Sequence, residues 1–250
     1  MSYQQHFSTG SGSRPARRNF EFGRTYVVRP KGKHQATIVW LHGLGDNGSS
    51  WSQQLENLPL PNIKWICPTA PTRPVAMLGG FTCTAWFDVG EISEDSPDDW
   101  EGLDASAAHV ANLLSTEPAD ASLSILSDSN FGNFILATPY VTVKVAVGGF
   151  SMGAATALYS ATCAALGQYG NGNAYPINLR AVVGLSGWLP GDDVVPYSYG
   201  EKSAHCLNTA GFRNLTFKSY EGLGHYTVPG EMDEARNWLT SRLGLEGSLY

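Results

Sequence analysis

The stretch Val145-Ala146-Val147-Gly148-Gly149-Phe150-Ser151-Met152-Gly153-Ala154-Ala155 constrains the fold more than any other part of the chain. The run over residues 141–147 reads as a buried parallel strand. It ends in Gly149-x-Ser151-x-Gly153, and an alanine-rich helical pattern follows at once. Strand, sharp turn and helix with a serine at the tip make a nucleophile elbow. The turn is so tight that the residues flanking the serine have almost no room for side chains, hence Gly149 and Gly153. The helix behind the serine directs its positive N-terminal end at the reacting group.

The rest of the chain supports one α/β domain. Its 250 residues suffice for a full core. A formal net charge of −6 gives no case for nucleic-acid binding. No apolar run is long enough to span a bilayer, and residues 1–5 lack the apolar segment of a secretory signal. Cys67, Cys83, Cys163 and Cys206 are scattered, with no Cys-x-x-Cys pair and no metal-ligand spacing. Buried, reduced thiols in a cytoplasmic or nuclear protein account for them most simply. Residues 1–19 are rich in Ser, Gly and Gln, carry Arg14, Arg17 and Arg18 and contain no acid. They read as a disordered tail ahead of a single domain over 20–250.

Strand patterns occur at 20–29, 36–41, 63–67, 141–147, 179–185 and 215–220, and helical patterns at 49–58, 100–114, 152–166, 200–210 and 231–243. This alternation predicts an open, mostly parallel sheet with helices on both faces. Residues 68–100 read as a long irregular stretch, and loops of that length tend to be functional. Its apolar members Met77, Leu78, Trp86 and Phe87 are candidates for lining an acyl pocket; the alternative is a loop that covers its own core. Residues 119–140 far exceed the roughly 2–6 residues that join a helix to the next strand.

Serine needs a base to act as a nucleophile. Among the histidines, His6 is in the tail, His34 in an early turn, and His109 and His205 inside helices. His42 belongs to the glycine-rich loop after the strand at 36–41, which leaves His225, on a glycine-flanked loop straight after a predicted strand, where parallel sheets place their sites. The third member of a triad in this chain order lies between serine and histidine. Asp192 is the candidate, with Asp193 as its neighbour and alternative. The loop His42-Gly43-Leu44-Gly45-Asp46-Asn47-Gly48 supports two readings. Its glycines match the dinucleotide fingerprint, but the acid that fingerprint needs is missing after the strand ending at Cys67. The other reading is a loop that contributes a backbone N–H to an oxyanion hole, with Leu44 as the donor alongside Met152. That chemistry requires no metal and no cofactor.

Six motifs then occur in order: Leu41-His42-Gly43-Leu44-Gly45-Asp46, Ile66-Cys67-Pro68-x-Ala70-Pro71, Ala85-Trp86-Phe87-Asp88, Gly148-Gly149-Phe150-Ser151-Met152-Gly153-Ala154, Leu185-Ser186-Gly187-Trp188-Leu189-Pro190 and Tyr220-x-Gly222-x-Gly224-His225. On these the chain resembles the acyl-protein thioesterase / carboxylesterase (phospholipase/carboxylesterase) family of α/β hydrolases over about 24–118 and 141–246. The resemblance implies an α/β-hydrolase fold. It implies a cytoplasmic serine hydrolase acting on fatty-acyl thioesters of S-acylated proteins, on lysophospholipids and on small esters. It also implies that residues 73–88 help shape an acyl groove. Two departures stand out. The family lacks an insertion like 119–140, and it places a helix and a further strand after the position of Pro190. Here Asp192 follows Gly187 by five positions, too few for a parallel crossover of roughly a dozen residues. The expected sheet therefore lacks one late strand and its helix. The competing function class is a catalytically impaired hydrolase fold that binds acyl ligands or partner proteins.

Overall fold

The computed structural model describes residues 18–90, 98–118, 143–185, 201, 204–205, 207–209, 214–218 and 225–245. The tail before residue 18, the insertion at 119–140, Asp192, Asp193 and Cys206 lie outside the described residues.

Strand β2 (Ala36–Leu41) is the centre of the molecule, and all six of its residues are buried. Its side chains alternate between two cores, as the pleat dictates. Ala36, Ile38 and Trp40 join Trp51, Leu55, Trp65 and Leu239 on one face, while Val39 and Leu41 join Val110, Leu114 and Val147 on the other. A strand buried on both faces carries no solvent-facing polar stripe, which is why Ala-Thr-Ile-Val-Trp-Leu reads as nearly continuous apolar sequence.

The sheet runs β1-β3-β2-β6-β7. Strands β3 (Ile63–Cys67), β2, β6 (Lys144–Phe150) and β7 (Ala181–Leu185) are parallel; β1 (Tyr26–Val28) is antiparallel to β3. From β2 the chain steps to β3 on one side and later returns to β6 on the other. The switch point therefore falls between β2 and β6, where open α/β sheets place their ligands. Register aligns the strand ends there: Leu41 pairs with Gly149, and Phe150 with Leu185.

Helix α1 (Gly48–Glu56) and helix α4 (Pro229–Arg242) supply the core on one face, and α2 (Trp100–Ser115) and α3 (Met152–Leu166) on the other. Each start has a local cause. Asn47 caps α1 by accepting from Ser49 and Ser50 N–H at 2.9 and 3.1 Å. Asp99 caps α2 through Gly102 N–H at 3.1 Å. Pro229 occupies the first turn of α4, where its missing N–H costs nothing.

Three expectations need correction. The strand expected over 20–29 is only β1, because it pairs with β3 along just three residues. The expected irregular stretch at 68–100 contains an antiparallel hairpin, β4 (Thr72–Val75) with β5 (Phe81–Thr84), turned through a short 3-10 segment and Gly79 and Gly80 at positive φ. Arg73 ties that hairpin to the α2 cap by a 2.6 Å ion pair with Asp99, which also accepts the Asp88 N–H at 2.8 Å. The strand expected over 215–220 does not form across its described residues 215–218. Leu215 and Phe217 stand about two-fifths exposed, so the burial that would fix a strand is missing. Of the thiols, Cys67 and Cys163 are buried as expected, but Cys83 is only half-buried.

Candidate active site

Ser151 follows directly on β6 and precedes α3. Its φ of 53° and ψ of −120° make it the one non-glycine residue at positive φ among the described residues. Such backbone strain persists only where the surroundings enforce it. Here the enforcement is steric. A Cβ on Gly149 would lie 2.4 Å from the Gly153 carbonyl carbon, and one on Gly153 would lie 2.2 Å from the Leu41 carbonyl oxygen. The elbow thus packs backbone against backbone, and glycine alone fits. Serine at a helix start ordinarily caps with its hydroxyl. Ser151 makes no such bond; its strained backbone turns Oγ toward His225 instead.

The Nε2 of His225 lies 2.7 Å from Ser151 Oγ across 74 positions of sequence. The imidazole also packs on Phe150, with ring centroids 5.2 Å apart. Phe150, the first of the two variable residues of the Gly-x-Ser-x-Gly motif, packs on Trp51 as well, with ring centroids 5.6 Å apart. Sequence reasoning gave Phe150 no role, although its place beside the serine was a usable signal.

The loop after β2 passes beside the elbow: a Cβ on Gly43 would be 3.1 Å from Phe150 Cδ1 and 3.4 Å from Ser151 Cβ. Residues 84–86 hold this loop. Gly45 N–H donates to the Thr84 carbonyl at 2.9 Å, Thr84 Oγ1 donates to the Asp46 carbonyl at 2.7 Å, and Trp86 Nε1 donates to the His42 carbonyl at 2.8 Å. Among the described residues the backbone N–H groups of Leu44 and Met152 have no hydrogen-bond partner. Two unspent donors, one on the loop that passes beside the serine and one at the N-terminus of α3, form an arrangement able to hold a developing oxyanion. The third glycine of the loop has a packing cause too. A Cβ on Gly48 would sit 2.1 Å from the Cys67 carbonyl oxygen, so glycine there lets α1 approach β3.

The groove candidates separate. Met77 and Leu78 stand exposed at 38% and 43% on the hairpin turn, and Phe87 is partly buried against the second core. Trp86 corrects the expectation: it has no exposed surface, and its indole braces the loop from inside rather than facing a groove. Asp192 and Asp193 lie outside the described residues. Among the described residues no three His, Cys, Asp or Glu side chains are grouped to hold a metal ion.

A family model described as Phospholipase/Carboxylesterase matches residues 23–191. The chain is similar to the solved structure of Zea mays acyl-protein thioesterase 2, at 59% identity and a TM-score of 0.77, covering 89% of this chain and 100% of that one. The Arabidopsis thaliana SOBER1 structure aligns at 26% identity and a TM-score of 0.62, over 84% of this chain and 99% of that one. The acyl-protein thioesterase 1 of Gibberella zeae is 28% identical over 84% of this chain and 92% of the relative.

Proposed function

This chain belongs to the phospholipase/carboxylesterase family and has its α/β-hydrolase fold, and from that premise we propose that it is a serine hydrolase of carboxylic esters and thioesters that removes fatty-acyl groups from S-acylated proteins. The observation that carries the chemistry is the 2.7 Å contact of His225 Nε2 with Ser151 Oγ. The names of the maize and fungal relatives support the substrate class.

Ser151 Oγ attacks the acyl carbonyl as His225 takes its proton. The Leu44 and Met152 N–H groups receive the charge that develops on the carbonyl oxygen. His225 then returns the proton to the leaving thiol or alcohol, and water activated by the same imidazole hydrolyses the acyl-enzyme. Asp192, with Asp193 beside it, is the acid proposed to orient His225, in the chain order serine, acid, histidine. Met77, Leu78 and Phe87 are the proposed acyl contacts. The hairpin that carries Met77 and Leu78 adjoins the oxyanion loop through the Gly45–Thr84 bond. The cytoplasm is the proposed compartment, in keeping with the free thiols of Cys67, Cys83 and Cys163.

Hydrolysis of a chromogenic short-chain ester and of an S-palmitoylated peptide tests this reading. Ser151→Ala is expected to lower turnover of both by roughly six orders of magnitude. A wild-type chain that melts cooperatively and turns over neither substrate would overturn the reading in favour of a hydrolase fold used for binding.

A further inference from the structure

His42 opens the oxyanion loop, is wholly buried, and does not touch Ser151 through any hydrogen bond. Its two ring nitrogens have distinct partners. Nε2 accepts the backbone N–H of Ala70 at 3.0 Å, and Nδ1 lies 2.6 Å from the carbonyl oxygen of Gly43. An amide N–H only donates, so Nε2 must carry the lone pair and Nδ1 the proton. Nδ1–H therefore donates to Gly43. Burial pushes the imidazole below its usual range, which keeps it in this neutral form.

The consequence follows from peptide geometry. The peptides here are trans, and in a trans peptide the N–H points opposite to the C=O. His42 Nδ1–H and the Asp46 N–H, at 3.3 Å, both hold the Gly43 carbonyl. The N–H of the same peptide, that of Leu44, is thereby turned away from the imidazole and kept out of any bond within the loop. A second clamp acts one peptide earlier. Trp86 Nε1 holds the His42 carbonyl, its indole packs on the imidazole with centroids 5.0 Å apart, and its own carbonyl is anchored by Ser106 Oγ of α2 at 2.6 Å.

We propose that His42 and Trp86 are positioning residues: the His42 imidazole, held in its Nδ1–H tautomer by the Ala70 amide, aims the Leu44 N–H at the oxyanion, and Trp86 locks the imidazole in place. The proposal rests on the reading of Ser151 and Leu44 given above, and it adds residues that never meet the substrate.

A structural role alone would lower the melting temperature and leave the chemistry of the folded fraction intact. A positioning role instead lowers kcat at nearly constant KM. It also weakens an alkyl trifluoromethyl ketone, whose tetrahedral adduct on serine carries the oxyanion, in proportion to kcat/KM. Losing an oxyanion donor outright costs about 100- to 1,000-fold, and misdirecting one costs less. His42→Ala is therefore expected to lose about 10- to 100-fold in kcat. Trp86→Phe keeps a ring but no donor and is expected to lose about threefold to tenfold. His42→Asn, whose carboxamide N–H can still reach the Gly43 carbonyl, should recover part of the loss. The ketone's inhibition constant should rise in step across the three variants. Where His42→Ala does not fold, His42→Asn and Trp86→Phe decide. Variants that keep kcat, or that lose it with ketone affinity unchanged, overturn the proposal and leave the serine hydrolase standing. A folded wild-type chain without Ser151-dependent turnover overturns both.

Discussion

The elbow packing gives a sharp stability prediction at Gly153. Alanine there would place its Cβ 2.2 Å from the Leu41 carbonyl oxygen, 2.5 Å from the Leu41 carbonyl carbon and 2.6 Å from the His42 carbonyl oxygen. These are backbone atoms at the end of a strand bonded on both sides, so no rotamer change relieves them. The N-terminus of α3 must instead back away from β2 by roughly 1 Å to restore van der Waals contact. Overpacking of this kind costs about 3 kcal/mol when the obstacle is rigid, and alanine's helix propensity offsets up to about 1 kcal/mol. A net loss of about 2 kcal/mol corresponds to a fall in Tm of about 4–8 °C for a domain of this size. The same retreat strains the 3.0 Å bond from Ser151 N–H to the Leu185 carbonyl and the 2.7 Å contact with His225. Displacing a reacting group by that much costs about 100-fold in turnover. Thermal melts and ester hydrolysis measure the two effects. Gly230→Ala in α4 is the control, since a Cβ there meets nothing within 4 Å; it should be neutral or stabilising by up to about 1 kcal/mol. Gly153→Ala with the wild-type Tm and full turnover would refute the reasoning, because α3 would then not be seated on the Leu41 carbonyl.

Two further predictions concern parts of the chain away from the elbow. His109 stacks on Phe22 with centroids 3.8 Å apart, its Nε2 is buried without a partner, and burial pushes its imidazole down to about 4. The folded state then binds fewer protons than the unfolded chain between about pH 6.5 and 4. Stability should fall as pH drops through that window, by about 2 kcal/mol after discounting its partly exposed edge, and His109→Phe should flatten the slope in urea melts taken across it. At the opposite end of the sheet from Ser151, Val143 N–H donates to the Pro118 carbonyl at 3.1 Å, so the two ends of the segment between them meet. Replacing residues 119–142 by Asn-Gly should keep a cooperative melt and turnover within about twofold, since closing a short loop between adjacent ends costs little. Loss of either would show that the segment contributes to the domain beyond joining α2 to β6.

What the sequence disclosed, and what it hid, divides along contact distance. The elbow was legible because strand, glycines, serine and helix are consecutive, and the same steric demand that bends the backbone writes itself into neighbouring letters. Strands β2, β3 and β7 and helices α2 and α3 were legible because burial on a sheet face or helix stripe imposes a period. His225 emerged by elimination, since a glycine-flanked histidine after a late strand pattern had few rivals, even though residues 215–218 of that pattern form no strand. The hairpin at 72–84 was hidden because its pairing is fixed from outside, by Arg73 reaching the α2 cap at Asp99. Trp86 was misread for the same reason. An aromatic in an apolar loop suggests a groove wall, yet its indole N–H is satisfied 44 positions away at His42, and its carbonyl 20 positions away at Ser106. A buried indole needs an acceptor, and the acceptor it finds belongs to the glycine-rich loop after β2, the proposed oxyanion loop. The apolar surface of the 68–90 segment therefore does two separate jobs. Its buried half, through Trp86, braces the backbone of the loop after β2, and its exposed half, at Met77 and Leu78, carries the proposed acyl contacts. A substitution at Trp86 should accordingly alter kcat, whereas one at Leu78 should alter chain-length preference through KM.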